Sequence, residues 1–305
     1  MSKYDVSRLK QVTVALNTPF DSEGNVNIEA TKRLVEYFCE KGVKQMYVCG
    51  STGEGFLLDS GERMKVVEAV TAQAAGRMNI IVHVGCVDTR HSVELAKHAE
   101  AAGADGISAV PCVYYRMGEE SVYEHWTKIT EAADIPFFIY HIPQLTGFQL
   151  SMNLFGRMLE NERVAGLKCS SDPVKDILRF KTAGGKDFLV FNGSDSQFIA
   201  GRLMGAEGGI GGTYGAMPEL YLKMQELCDR GEWEKAQSVQ VTVNSFVSRL
   251  SSFPSMYGAV KGIISLDGCP VGDPRLPFLP VSTGDPNLIS LYEDIRRAVA
   301  ETAAM

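Results

Sequence analysis

The sequence predicts an α/β protein of the (β/α)8 class, a TIM barrel carrying additional C-terminal helices. Three observations point there. Eight short apolar or β-branched runs alternate with amphipathic helical stretches over about 220 residues, the order that builds one parallel barrel. The first run leads into Asn17-Thr18-Pro19-Phe20, not into the G-x-G-x-x-G turn expected of a doubly wound open sheet. From Glu232 onward the alternation stops and only helical patterns remain. The expected organisation is therefore a barrel over 1–230 and a helical extension over 231–305 packed on it.

The elements follow in chain order. Strand-like runs cover 12–16, 45–49, 80–84, 106–110, 137–140, 165–168, 188–191 and 208–211, each a few residues long and rich in Val, Ile, Phe or Gly. Helical patterns fill 28–41, 60–75, 89–102, 121–132, 153–159 and 172–182. Asn27, Asp59, Asp88 and Ser151 precede four of these helices, where their side chains can accept first-turn amide hydrogens. Gly42 and Gly103 close two of the same helices, positions where a left-handed cap suits glycine. Three further helices are expected over 232–250, 256–265 and 288–300, with a proline-rich extended connector over 268–280.

Composition narrows the function. The chain has 305 residues, 45% hydrophobic and 22% charged, ordinary for a globular enzyme with a sizeable core. A net charge of -7 leaves no basic excess to neutralise phosphates, which disfavours a nucleic-acid partner. No run approaches the 18 apolar residues of a membrane span, and the polar first ten residues do not read as a signal peptide. Cys39, Cys49, Cys86, Cys112, Cys169, Cys228 and Cys269 are scattered without a C-x-x-C pair. That spacing argues for reduced thiols in the cytoplasm and against a zinc site.

In a parallel barrel the active site lies at the C-terminal ends of the strands. Four polar clusters stand there: Gly50-Ser51-Thr52-Gly53-Glu54, Tyr140-His141-Ile142-Pro143, Gly166-Leu167-Lys168-Cys169-Ser170 and Asn192-Gly193-Ser194-Asp195. A lysine ending an apolar strand is hard to place on a solvated face. Burial disfavours its ammonium form and makes the amine nucleophilic toward a carbonyl. A structural lysine paired with a buried carboxylate would give the same pattern. Strand alternation puts Lys168 and Ser170 on one side and Cys169 on the other, so Cys169 is expected to pack. Tyr140, ending the preceding strand, could relay protons or simply fill the core. Ser51 and Thr52 lie on a tight strand-to-helix turn whose amides and hydroxyls could hold a carboxylate. The glycine-rich 208–213 stretch could cradle a phosphate or let a ligand approach the backbone.

G-S-T-G-E at 50–54, Y-H-I-P at 140–143 and G-L-K at 166–168 stand in the order and spacing of a known family, with His83-Val84-Gly85 between them and 208–214 after them. The chain resembles the N-acetylneuraminate lyase / dihydrodipicolinate synthase family, and the lyase branch most closely. The resemblance implies a Schiff-base lysine at Lys168 and a proton-relaying phenol at Tyr140. It implies that Ser51 and Thr52 hold the pyruvate carboxylate, with Ser51 also bonded to Tyr140. It implies a second tyrosine, Tyr114, reaching a neighbouring subunit's site in a homotetramer, and no metal or organic cofactor. The partners implied are a small 2-keto acid and an aldehyde.

Leu145 stands where the synthases resemble one another in carrying an arginine for their second substrate, which argues against dihydrodipicolinate synthesis. Ser170, Gly193, Asp195, Ser196 and Gly212 fall on the remaining substrate positions that the resemblance implies. Asp195 matches the lyases, whereas Ser196 and Gly212 replace their Glu and Ser. The expected function is a class I pyruvate lyase acting on N-acetylneuraminate or a related 2-keto-3-deoxy sugar acid. The alternatives are condensation of pyruvate with another aldehyde, a phosphorylated substrate on the glycine-rich turns, and a non-catalytic keto-acid-binding homologue.

Overall fold

A computed structural model describes residues 2–111, 113–303 and 305. In chain order the elements are β1 (Thr13–Ala15), α1 (Ile28–Glu40), β2 (Gln45–Val48), α2 (Ser60–Ala74), β3 (Asn79–His83), α3 (Thr89–Ala101), β4 (Gly106–Ala109) and α4 (Glu119–Ala132). There follow β5 (Phe137–His141), α5 (Pro143–Thr146), α6 (Met152–Leu159), β6 (Val164–Cys169), α7 (Lys175–Gly184), β7 (Leu189–Asn192), α8 (Phe198–Leu203) and β8 (Gly208–Gly211). The last four helices are α9 (Pro218–Asp229), α10 (Trp233–Ser252), α11 (Met256–Leu266) and α12 (Pro286–Ala303). The strands close into one parallel barrel in the order β1 to β8, as the alternation predicts. All eight expected strands are present, with ends displaced by a residue or so.

The helices begin where local chemistry allows. Asn27, Asp59, Asp88 and Ser151 each accept a first-turn backbone N–H, and Asp59 with Glu62 forms a reciprocal capping box. Gly42 and Gly103 follow α1 and α3 with φ of 83° and 85°, the left-handed conformation expected of them. Three helices were not expected from the pattern: the single-turn α5, the short α8, and α9, which opens on Pro218. The helix expected from residue 172 starts instead at Lys175. Pro173 cannot extend a helix backwards, and Asp172 is held by Gln144 and Gln197.

The chain divides into two units. One comprises Met1–Gln11 and Asn79–Ile210 and contains β3 to β7. Its buried aromatics lock in edge-on pairs, Phe155 with Phe180 at 4.9 Å and with Phe188 at 5.4 Å. The other comprises Val12–Met78 and Gly211–Met305, bringing β1, β2, α1 and α2 together with α9 to α12. There Tyr214 and Tyr221 stack at 3.6 Å, and a half-buried cluster of Lys41, Glu219, Asp267 and Arg296 ties α1, α9 and α12. Among the described residues no helix is long and apolar enough to cross a membrane.

Candidate active site

Lys168 lies on β6, whose six residues are all buried, and is itself 5% exposed. The register pairs it with Tyr140 on β5 and Phe191 on β7. In-register parallel neighbours present side chains to the same side. Lys168 Nζ accordingly stands 4.0 Å from the centroid of the buried Tyr140 ring. His83 meets the same ring edge-on at 5.9 Å, and its Nε2 accepts the Val110 N–H at 3.3 Å. That bond assigns the His83 proton to Nδ1. Two glycines make the arrangement possible. A Cβ on Gly166 would fall 2.5 Å from the Leu189 carbonyl oxygen and 2.7 Å from the Phe138 ring; one on Gly85 would fall 2.9 Å from His83 Nε2.

Alternate residues face away. Burial pushes the Cys169 thiol up to about 12, so it stays protonated and packs as expected. His141 turns its ring edge-on to Phe180 of α7 at 5.6 Å, and burial lowers it to about 4. It is neutral at pH 7 and stands on the opposite face from Lys168.

The turns after β6 and β7 bring Ser170 and Gly193 together. Ser170 donates its N–H to the His141 oxygen at 2.8 Å, and its carbonyl accepts from Gln144 Nε2 at 2.5 Å. Its buried hydroxyl has no hydrogen-bond partner among the described residues, and a Cβ on Gly193 would strike it at 2.0 Å. An unpaired buried hydroxyl is costly, so this one is available to a ligand. Asp195 is half-buried on the next turn, while Ser196 is exposed. Tyr114 is not buried by its own chain: it is 89% exposed, with φ of 74° and the Tyr115 ring edge-on to its own at 5.1 Å. Its neighbour Cys112 lies outside the described residues.

In the other unit, Ser51 and Thr52 sit on a turn held from both flanks. Asn17 Nδ2 donates to the Thr52 oxygen at 3.4 Å, Thr18 Oγ1 donates to the Gly53 oxygen at 2.6 Å, and the Glu54 N–H donates to the Ser51 oxygen at 3.0 Å. Gly212 faces this turn, since a Cβ there would lie 2.9 Å from Thr52 Oγ1. Glu54 is buried in the left-handed conformation and ion-pairs with Lys261 of α11 at 2.7 Å. The sequence reading missed Lys261. The signal was present, because Ala259-Val260-Lys261-Gly262-Ile263 is as apolar a context as that of Lys168. Lys261 is the structural lysine with a buried carboxylate. As for the glycine-rich stretch, β8 is buried throughout and a Cβ on Gly208 would lie 2.3 Å from the Gln11 carbonyl oxygen. Close backbone packing accounts for that glycine without a phosphate.

The Dihydrodipicolinate synthetase family profile matches residues 8–290. An N-acetylneuraminate lyase from Mediterraneibacter gnavus is 42% identical over 277 residues, spanning 90% of this chain and 88% of the relative. The wild-type sialic acid aldolase of Ruminococcus gnavus superposes with a TM-score of 0.93 at 40% identity, covering 96% of this chain and 98% of that one. A catalytic lysine mutant of that aldolase superposes with a TM-score of 0.93 at 37% identity, covering 100% and 99%.

Proposed function

The chain belongs to the dihydrodipicolinate synthetase family, and from that premise we propose that it is a pyruvate-dependent carbon–carbon lyase that cleaves N-acetylneuraminate through an imine on Lys168. The observation that carries this reading is the Lys168 amine, on a fully buried strand, 4.0 Å over the Tyr140 ring. The existence of a catalytic lysine in the similar aldolase supports it.

The Lys168 amine attacks the ketone of the open-chain keto acid and loses water to give an imine. The protonated imine withdraws electrons, so the C3–C4 bond breaks as the C4 hydroxyl loses its proton. Tyr140 relays that proton, taking it up as its own phenol proton passes to the substrate carboxylate. The enamine is then protonated at C3, and hydrolysis frees pyruvate and the aldehyde. Ser51 and Thr52 are assigned to the carboxylate, and Ser170, Gly193, Asp195, Ser196 and Gly212 to the rest of the substrate. Leu145, 65% exposed, offers no charge to a second carboxylate, which weakens the synthase reading.

We assign the working form as a homotetramer in the cytoplasm, in which the exposed Tyr114 completes a neighbour's site. Residues 231–305 are assigned as a helical extension to a catalytic 1–230. None of the six described cysteines is bridged, which suits a reducing compartment.

Incubation with pyruvate and borohydride tests the reading. One reduced pyruvyl group per chain is expected at Lys168. Labelling elsewhere, or none, overturns the mechanism and favours a keto-acid-binding protein. Lys168→Ala abolishes turnover, and Lys168→Arg does not restore it, because a guanidinium stays protonated. A second substrate, a shorter 2-keto-3-deoxy sugar acid, is favoured by the exposed Ser196 and the side-chain-less Gly212. The ratio of kcat/KM for the two acids decides between them.

A further inference from the structure

The buried ion pair between Glu54 and Lys261 is used by no step above, yet it lies two residues from Thr52. Glu54 Oε1 meets Lys261 Nζ at 2.7 Å, and Oε2 accepts the Arg275 N–H at 2.7 Å. Lys261, 1% exposed, also donates to the Asp273 oxygen at 3.2 Å and stands 4.4 Å over the Phe20 ring. The Arg275 guanidinium lies 4.6 Å from the same ring and donates to Leu57 O, Gly24 O and the Glu62 carboxylate. The connector at 273–275 is thereby fastened to Glu54 and Leu57, in the second half of the 50–57 turn.

The turn itself has little slack. Cys49 and Glu54 both adopt left-handed backbone at φ of 59° and 56°, a conformation that non-glycine residues hold only when their surroundings impose it. A Cβ on Gly55 would lie 2.0 Å from the Cys49 oxygen, and one on Gly53 would lie 2.9 Å from the Leu16 oxygen. Movement of Glu54 therefore carries the Ser51-Thr52 hydroxyls with it.

We infer that Glu54 and Lys261 are positioning residues of the reaction, setting the Ser51-Thr52 turn that receives the substrate carboxylate. The inference rests on the carboxylate assignment made above. It makes a carboxylate-specific claim that a purely architectural ion pair would not satisfy. Burial pulls the Lys261 ammonium below the usual lysine range while the Glu54 carboxylate opposes that shift. Removing either partner leaves the other charged and unpaired, so stability and positioning must be read separately.

The test uses the full-length chain. Borohydride trapping against pyruvate concentration gives a half-saturating value independent of cleavage, and thermal melting is followed in parallel. Glu54→Gln and Lys261→Met are each expected to raise the half-saturating pyruvate concentration by about ten- to a hundredfold, the range for a misplaced binding group. Pyruvamide, which keeps the ketone but lacks the carboxylate, is expected to be trapped as in the wild type. Should those variants fail to fold, Glu54→Asp keeps the charge but shortens the anchor by one methylene. It is expected to show the same selective loss for pyruvate. Variants that melt earlier yet keep wild-type half-saturation overturn the inference, as does an equal loss for pyruvate and pyruvamide. A wild-type chain that is not labelled at Lys168 overturns the proposed function, and this inference with it.

Discussion

At the scale of single residues, the space around a glycine decides what a substitution does. Gly212 differs from the serine of the lyase pattern, and restoring Ser there looks at first like the way to recover a tail contact. The 2.9 Å approach of its Cβ to Thr52 Oγ1 says otherwise. Gly212→Ser is expected to displace Thr52 and raise the half-saturating pyruvate concentration, whatever it gains with a sugar tail; Ser196→Glu alone carries no such penalty. Gly166→Ala is expected to destabilise by about 1–3 kcal/mol or more, since its Cβ meets both a carbonyl and the Phe138 ring, and a thermal melt checks it. His125 and His141 are both lowered by burial from 6.5 to about 4. The unfolded chain therefore binds more protons between those values, so stability rises with pH across that window and is lost as pH falls through it. His141→Gln is expected to flatten the dependence of urea midpoint on pH between 6.5 and 5.

At the scale of elements, the caps are the parts whose effect can be isolated. Ser151 accepts the Leu154 N–H at 3.0 Å and starts α6. Ser151→Ala is expected to cost about 1 kcal/mol in a denaturant titration and to leave turnover unchanged. Such caps were legible because one side chain does the whole job locally. The strands were legible for a related reason: burial on both faces demands continuous apolar runs. What was not legible depends on distant partners. α9 opens on Met217-Pro218 without a side-chain cap, and α8 is too short for its periodicity to rise above its neighbours. Lys168 and Tyr140 could be singled out in the sequence, but their 4.0 Å approach follows from strand register, which no local pattern fixes. Glu54 was read as part of a motif, while its partner Lys261 lies on another helix far along the chain.

At the scale of the whole molecule, the proposed assembly has a direct test. Tyr114 stands out from its own chain. Mixing Tyr114→Phe chains with Lys168→Ala chains is expected to regain activity that neither has alone, because some mixed sites combine both intact residues; a fully active monomer would refute this. Chain order imposes a second condition on the unit formed by Val12–Met78 and Gly211–Met305. Its two segments leave the ribosome at opposite ends of synthesis. Arg275 follows Glu54 by 221 positions, roughly 10–45 s of translation at ordinary speeds. For most of that interval the Glu54 carboxylate has neither its ammonium nor its amide donor, and the Ser51-Thr52 turn is held only by Asn17, Thr18 and its own backbone bond. The intervening segment, which includes both Tyr140 and Lys168, is complete before residue 261 emerges and can order before it. On the proposed mechanism, a nascent chain stalled before residue 261 would carry Lys168 without the Lys261 anchor of the Ser51-Thr52 turn, and would be expected to gain activity only once the C-terminal helices are made.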